Sequence, residues 1–600
     1  MFDVIPKPKS IVSLLVMLVA IVAVACGSSA TATPRPTEPS SAPVPTAVGS
    51  AATPTPAPAQ PSGGQAKVDR LVMGLISPTR DYFRTWVLGT ADQLIKQDPM
   101  QEWLFEIDPL TQSFGPWLAE SFELAPDSLS WNLKLAKGAV WHNKNGTDFG
   151  EFNAADLVHN WNIWCNPDYP NRETDASSGY KVGMCQVESV DVINDNEVIM
   201  NCSVPCPDLL FYYSQATDIV QFSKRQWDAE GEEAYETQVA GTGPYIFQEH
   251  KLGESILYSR APGEHWKRGV VDWEELIMTW VLEEATRLAQ FVAGETHLTE
   301  VNKDLTDQLV DRGFKLVKST GPAQQVQINF TGLYFGTEDE SRDKYVGTTG
   351  KLVEDLPFTN IKVRQAINKA IDREAIRQEL YKGRVATQYV HGYYDGLPGW
   401  DPTWADRFEE AYGYDVERAK ELMVEAGYAD GFSAKAFLFP FPGAPELVPL
   451  METVQVYLQE IGIELTLEEA DWAGVVIPKL RSRDFPGYMY AIPPSKKAVE
   501  SQVGAFNGGY NVIHQYETDQ MWDTWDKLRN TADLGERDVI LRELGNIKFN
   551  NFENVPLYEV FIEVILDPEI VDDWIFPGWD GGDIGHTWNI IACKQVNPCR

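Results

Sequence analysis

An α/β fold with mixed sheets is what this sequence predicts, and three observations carry the expectation. Apolar residues recur on a helical period in several capped stretches. Elsewhere they alternate with polar residues as in a half-buried strand, and the two kinds of stretch follow one another in turn. With 11% aromatic residues, the roughly 530 residues beyond the N-terminal tract are also ample for several lobes with cores of their own.

Residues 1–26 read as a processing segment. Lys7 and Lys9 supply a positive start, and Ile11 to Val24 an almost unbroken apolar run. The run ends in Ala23, Val24, Ala25, Cys26 and Gly27, which resembles a bacterial lipobox with Cys26 as the lipidated residue. A plain secretory signal and an uncleaved anchor are the alternatives. No later run stays apolar for the roughly 18 residues that a spanning helix needs. Residues 27–66 are Ala, Thr, Pro and Ser with hardly a large side chain, so they bury too little to offset ordering entropy. An extended tether of up to about 100 Å is expected, at roughly 3.1 Å per residue.

The formal charge of -37 argues against a nucleic-acid partner, whose phosphates need a basic face. It suits solubility on an exposed surface. Of seven cysteines, setting Cys26 apart leaves Cys165, Cys185, Cys202, Cys206, Cys593 and Cys599. Outside the cell an even set suggests disulfides. Closeness in sequence favours 165 with 185, 202 with 206 and 593 with 599. Zinc is the alternative, but neither a CxxC nor a histidine at ligand spacing supports it.

Within the folded part, Leu71 to Ile76 reads as a first strand. Trp131, Leu133 and Leu135 alternate with polar residues, Gly138 turns the chain, and Asn153 caps a helix carrying Ala155, Leu157, Val158 and Trp161. In Gly241 to Phe247, GTGPYIF, the glycines allow a turn that no Cβ would permit, and Pro244 stiffens a strand start. A phosphate-cradling loop would need a lysine that is missing here. Further on, Pro357 and Asn360 open a helix whose stripe is Val363, Ala366, Ile367, Ala370 and Ile371. Lys362, Arg364, Gln365, Asn368 and Lys369 take its polar face. Asp372 caps a second helix, which Gly383 stops. Asp415 caps the next, with Ala419, Leu422, Met423 and Ala426 inward and Gly427 beyond. Val454, Tyr457, Leu458 and Ile461 make another before Gly462, and IELTL follows at strand spacing.

The run from Pro357 through VRQAINKAIDRE to GRVATQYV resembles the family 5 extracellular solute-binding proteins, the peptide, nickel and oligosaccharide receptors of ABC importers. GTGPYIF, SRAPGEHW and IDPLTQSFGPWLAES resemble further elements of that family, with Ala261 replacing an asparagine. His142 stands in a loop where the family's histidine is structural. The resemblance implies a two-lobed, periplasmic-binding-protein-like fold of type II in its large three-domain variant, with two hinge crossings. Its boundaries would be lobe I at 67–110, a subdomain at 111–240, lobe I again at 241–322, lobe II at 323–557 and a return at 558–600. The crossings would fall around Gly321 to Asn329 and Val555 to Val560.

The same resemblance puts a ligand between the lobes, held by Trp472, Glu300, Tyr558, Ser495 and Tyr490. An indole at Trp472 could stack on a sugar or pack against a peptide. Peptide receptors carry an aspartate for the peptide's ammonium where this chain, in FPGYMYAIPPS, has Ser495. A buried ammonium without a carboxylate is costly, which weakens the case for a free peptide and keeps a carbohydrate open. Implied are an oligopeptide or oligosaccharide-like solute, permease subunits as partners, a monomer with no cofactor, and attachment to the outer or periplasmic face of a membrane through the lipid. An extracellular hydrolase is the competing class. Neither G-x-S-x-G nor HExxH occurs, and the eight histidines do not cluster. A sensory binding protein on the same fold is the third reading.

Overall fold

A computed structural model describes residues 68–593, apart from 77–82, 85–93, 167, 170–182, 218, 335–355, 442–443, 483–485, 508–512 and 580–585. The processing segment, the tether, Cys26 and Cys599 therefore lie outside the described residues.

Two mixed sheets organise the chain. In the first, seven strands run in the order Tyr245–Lys251, Ser255–Arg260, Trp273–Trp280, Val68–Leu75, Leu298–Thr299, Glu563–Leu566 and Lys315–Lys318. Val68–Leu75 is parallel to both neighbours, and its inward residues Leu71, Met73 and Leu75 are buried. The second sheet has six strands in the order Val385–Thr387, Asn554–Val560, Gln324–Phe330, Tyr488–Ile492, Phe432–Leu438 and Ile463–Glu469. A third, antiparallel sheet of Ala119–Leu124, Ser130–Leu135, Glu197–Cys202 and Val187–Asn194 shares the first sheet's core. Trp131, Leu133 and Leu135 alternate into that core as the period-two pattern requires. The helix Ala154–Cys165 starts at Asn153, whose side chain accepts from the Ala155 amide.

The capped stripes of the second half also form as their sequence dictates. Asn360, Asp372 and Asp415 accept from backbone amides at the starts of Ile361–Ala370, Arg373–Glu379 and Val416–Glu425. Val363, Ala366, Ile367, Ala370 and Ile371 are all buried. The opposite face differs from expectation at Arg364 and Asn368, which are buried as well. Arg364 donates to the carbonyls of Phe358, Thr359, Asn551 and Phe552, and Asn368 donates to Asn554 O. These side chains close the C-terminal end of the long helix Leu534–Asn551, so two polar residues face inward.

In GTGPYIF, Gly241 and Gly243 do not take the left-handed backbone of a tight turn. Their role is close approach: a Cβ on Gly241 would lie 1.9 Å from Met100 O, and one on Gly243 2.7 Å from Met100 C. Gly243 N donates to Met100 O, and Gly241 pairs with the backbone of His142, whose ring sits against Gly243 O. His142 is thus spent on structure. Disulfides join Cys165 to Cys185 and Cys202 to Cys206, with Cα atoms 5.3 and 6.4 Å apart. Among the described residues, no helix is long and apolar enough to cross a membrane.

The chain passes from the first sheet to the second between Lys318 and Gln324, and returns between Val560 and Glu563. The two passages run side by side: Ser319 N donates to Ile562 O and Ala323 N to Val560 O. Gly578 packs onto them with φ +85°, where a Cβ would come within 2.6 Å of Gly321 O.

Candidate functional site

Three segments converge where the chain changes sheets. Along the first passage, Gln325 N donates to Pro494 O and Lys496 N to Ala323 O, so residues 494–496 lie against it. Ser495 bridges Gln324 directly. The segment 576–579 closes the other side, with Thr320 N donating to Phe576 O and Gly321 N to Pro577 O.

The strand Gln324–Phe330 explains the polarity here. It is the central strand of the second sheet and wholly buried, yet it reads QQVQINF. Burial requires its amides to find partners. Gln325 Nε2 donates to Tyr393 O and to Glu559 Oε1, and its oxygen accepts from Gly392 N. Gln388 Nε2 donates to Gln327 Oε1, and Gln327 Nε2 to Asn329 Oδ1. The chain ends unsatisfied: Asn329 Nδ2, the Tyr490 hydroxyl and both Gln515 amide atoms are buried without a well-formed hydrogen bond among the described residues. Asn329 and Gln515 are nonetheless near enough to Tyr490 to oppose the rise in its pKa that burial causes.

Of the residues singled out from sequence, Tyr490, Trp472, Ser495 and Tyr558 lie on the second half. Tyr490 is buried on Tyr488–Ile492, opposite Asn329. Trp472 is half-buried at an irregular helical turn, with Phe439, Phe441 and Tyr490 rings 5.0, 5.9 and 6.2 Å away. Ser495 follows on the same strand's exit. Glu300 stands on the first half, just past Leu298–Thr299, and its backbone carbonyl accepts from Arg287. Burial pushes its carboxyl up to about 7, and Arg287 only partly offsets this. No hydrogen bond or ion pair joins it to Tyr490, Trp472 or Ser495 among the described residues. Tyr558 is buried; its hydroxyl donates to Arg373 O at 2.5 Å, and its ring lies 4.9 Å from Tyr381. Strand alternation turns the next residue, Glu559, the other way, toward Gln325.

Sequence reasoning passed over Lys496, Glu559, Tyr394, Trp579 and Gln112. Lys496 is 4% exposed. Its ammonium donates to Gln112 Oε1 at 3.2 Å and lies 4.6 Å over the Trp579 ring and 5.3 Å over Tyr394. Burial lowers its pKa to about 8, with Glu559 opposing, while burial raises Glu559 to about 7. The available signal was the run of amides in a strand otherwise reading as core. Such a strand carries a polar network or borders a site.

The geometry defines a two-halved α/β protein: two mixed sheets joined by paired crossings, with a polar, incompletely satisfied junction. Residues 113–512 match the family described as bacterial extracellular solute-binding proteins, family 5 Middle, and the chain belongs to that family. It is 28% identical over 384 residues to heme-binding protein A of Haemophilus influenzae, covering 62% of this chain and 64% of that one. It is 24% identical over 394 residues to the dipeptide-binding protein of Escherichia coli, covering 62% and 66%. The chain thus spans less than two thirds of the length of either relative. Its fold matches that of a dipeptide binding protein from Pseudoalteromonas sp. in complex with Met-Leu, with a TM-score of 0.71 at 20% identity over 87% of this chain and 100% of that one.

Proposed function

We propose that this chain is an extracellular solute-binding protein that holds a small solute between its halves and hands it, unaltered, to the permease subunits of an ABC importer. The observation supporting this most is the junction itself, where the buried Trp579 indole N–H of one half and the Tyr394 hydroxyl of the other have no hydrogen-bond partner among the described residues beside paired crossings. A hinge of this kind closes two lobes over a ligand. In this reading lobe I comprises 67–110, the subdomain 111–240 and 241–322, lobe II begins at 323, and the return begins beyond Val560 instead of at 558, because Asn554–Val560 is a strand of the second sheet. Trp472 and Tyr490 supply a flat wall, Ser495 a hydroxyl at the floor, and Glu300 a carboxyl from the facing lobe. Tyr558 supports the floor from behind through Arg373. A relative named for dipeptides supports a peptide-like solute, and Ser495 standing where peptide receptors carry an aspartate keeps an oligosaccharide-like one beside it. Residues 1–26 would direct export, Cys26 would carry the lipid, and 27–66 would hold a monomeric receptor off the membrane.

Native mass spectrometry on protein purified without refolding tests this. One small molecule per chain, released intact on unfolding, is expected. A bound compound chemically converted during incubation would contradict it and favour an enzyme.

A further inference from the structure

Resting on that receptor reading, we propose that the floor of the cleft at Lys496 binds an anionic group of the solute, a carboxylate or a comparable oxyanion. A buried ammonium costs several kcal/mol unless paired and hydrogen-bonded. Lys496 has three donors to place, and one acceptor, Gln112 Oε1, meets them. Among the described residues no carboxylate forms an ion pair with it. The carboxyl it senses, Glu559, is held by Gln325 instead.

The flanking groups offer donors too. The Trp579 indole N–H and the Tyr394 hydroxyl are both buried without a hydrogen-bond partner among the described residues. An under-satisfied ammonium resting on two rings that each carry a buried, unpaired donor suits an acceptor-rich, negatively charged guest, and a free ammonium there would meet Lys496 as a like charge. Gln112 and Trp579 belong to the half containing the first sheet, whereas Lys496 and Tyr394 belong to the other. An anion held there contacts both halves, so its binding energy favours the arrangement that brings them together.

Titration calorimetry on the full chain tests this with three probes: an N-acetyl dipeptide acid, its neutral N-acetyl dipeptide amide, and the dipeptide amide with a free amine. X-ray scattering on the same samples reports closure. The acid should bind about tenfold or more tighter than either amide, a margin expected of one charged hydrogen-bonded contact. Lys496→Met should abolish that margin, and Lys496→Arg should keep it. Equal or tighter binding of an amide, with closure, overturns the anionic floor and leaves the receptor standing, as does a margin that survives Lys496→Met. Failure of every probe to bind and close the halves, together with no co-purified solute, overturns the receptor reading itself.

Discussion

Trp472 shows how one side chain can serve two ends. Its indole packs on Phe439, Phe441 and Tyr490 while remaining half-buried, and in the proposed reading its exposed part is what a solute meets. Trp472→Ala is expected to weaken solute binding about tenfold, or about 1.4 kcal/mol. Because the ring also packs, the same change should lower the denaturant midpoint, and Trp472→Phe should restore the midpoint more fully than the affinity. Calorimetry beside a urea titration separates the two, and unchanged affinity in the alanine variant removes Trp472 from the site. Lys496 and Tyr558 show why single residues were hard to assign. Lys496 follows a run of prolines with no periodicity to orient it. On the strand Asn554–Val560, a single step of register decides whether Tyr558 or Glu559 faces the junction.

Among elements, the helix Ile361–Ala370 holds the second half together through both faces. Arg364 satisfies four carbonyls that lie 5–6 and 187–188 residues away in sequence. A lysine cannot reproduce that planar fork. Arg364→Lys should therefore destabilise the protein by on the order of 3 kcal/mol, with little change in intrinsic affinity at temperatures where it stays folded; a chemical melt within a few tenths of a kcal/mol of the parent would contradict this. Caps and stripes were legible because their determinants are local: Asn153, Asn360, Asp372 and Asp415 each accept from amides two or three residues on. The two disulfides within reach were legible for the same reason. What escaped depends on distant partners. The glycines of GTGPYIF make room for Met100, far back in the chain, and Arg364 looks like a surface residue until the long helix Leu534–Asn551 is brought beside it. The amides of QQVQINF make sense only once Gln388, Gly392, Tyr393 and Glu559 are brought beside them.

In the whole molecule, the halves touch beyond the crossings. Ser128 Oγ donates to Ala532 O, and Asp208 of the first half meets Glu500 of the second, which contacts Arg537. Burial and the facing carboxyl raise Glu500 from 4.5 to about 8, Asp208 rises as well, and Arg537 opposes both shifts. Both acids are therefore harder to ionise while the halves are together. When the halves part, Glu500 returns toward its ordinary value. A carboxyl whose pKa is higher in the closed form favours closure fully below pH 4.5, and that contribution is lost as pH rises to about 8. Closure should weaken over that window in the parent and depend less on pH in Glu500→Gln, as read from the scattering radius across a pH series. A parent radius that grows as pH falls from 8 toward 5 would contradict it.

The most direct measurement is small-angle scattering of the full chain stripped of its co-purified solute, then with that solute added back. A radius of gyration that falls on addition, recovers on washing, and leaves the solute chemically intact is expected of two halves closing on a guest. An unchanged radius at saturation would contradict it.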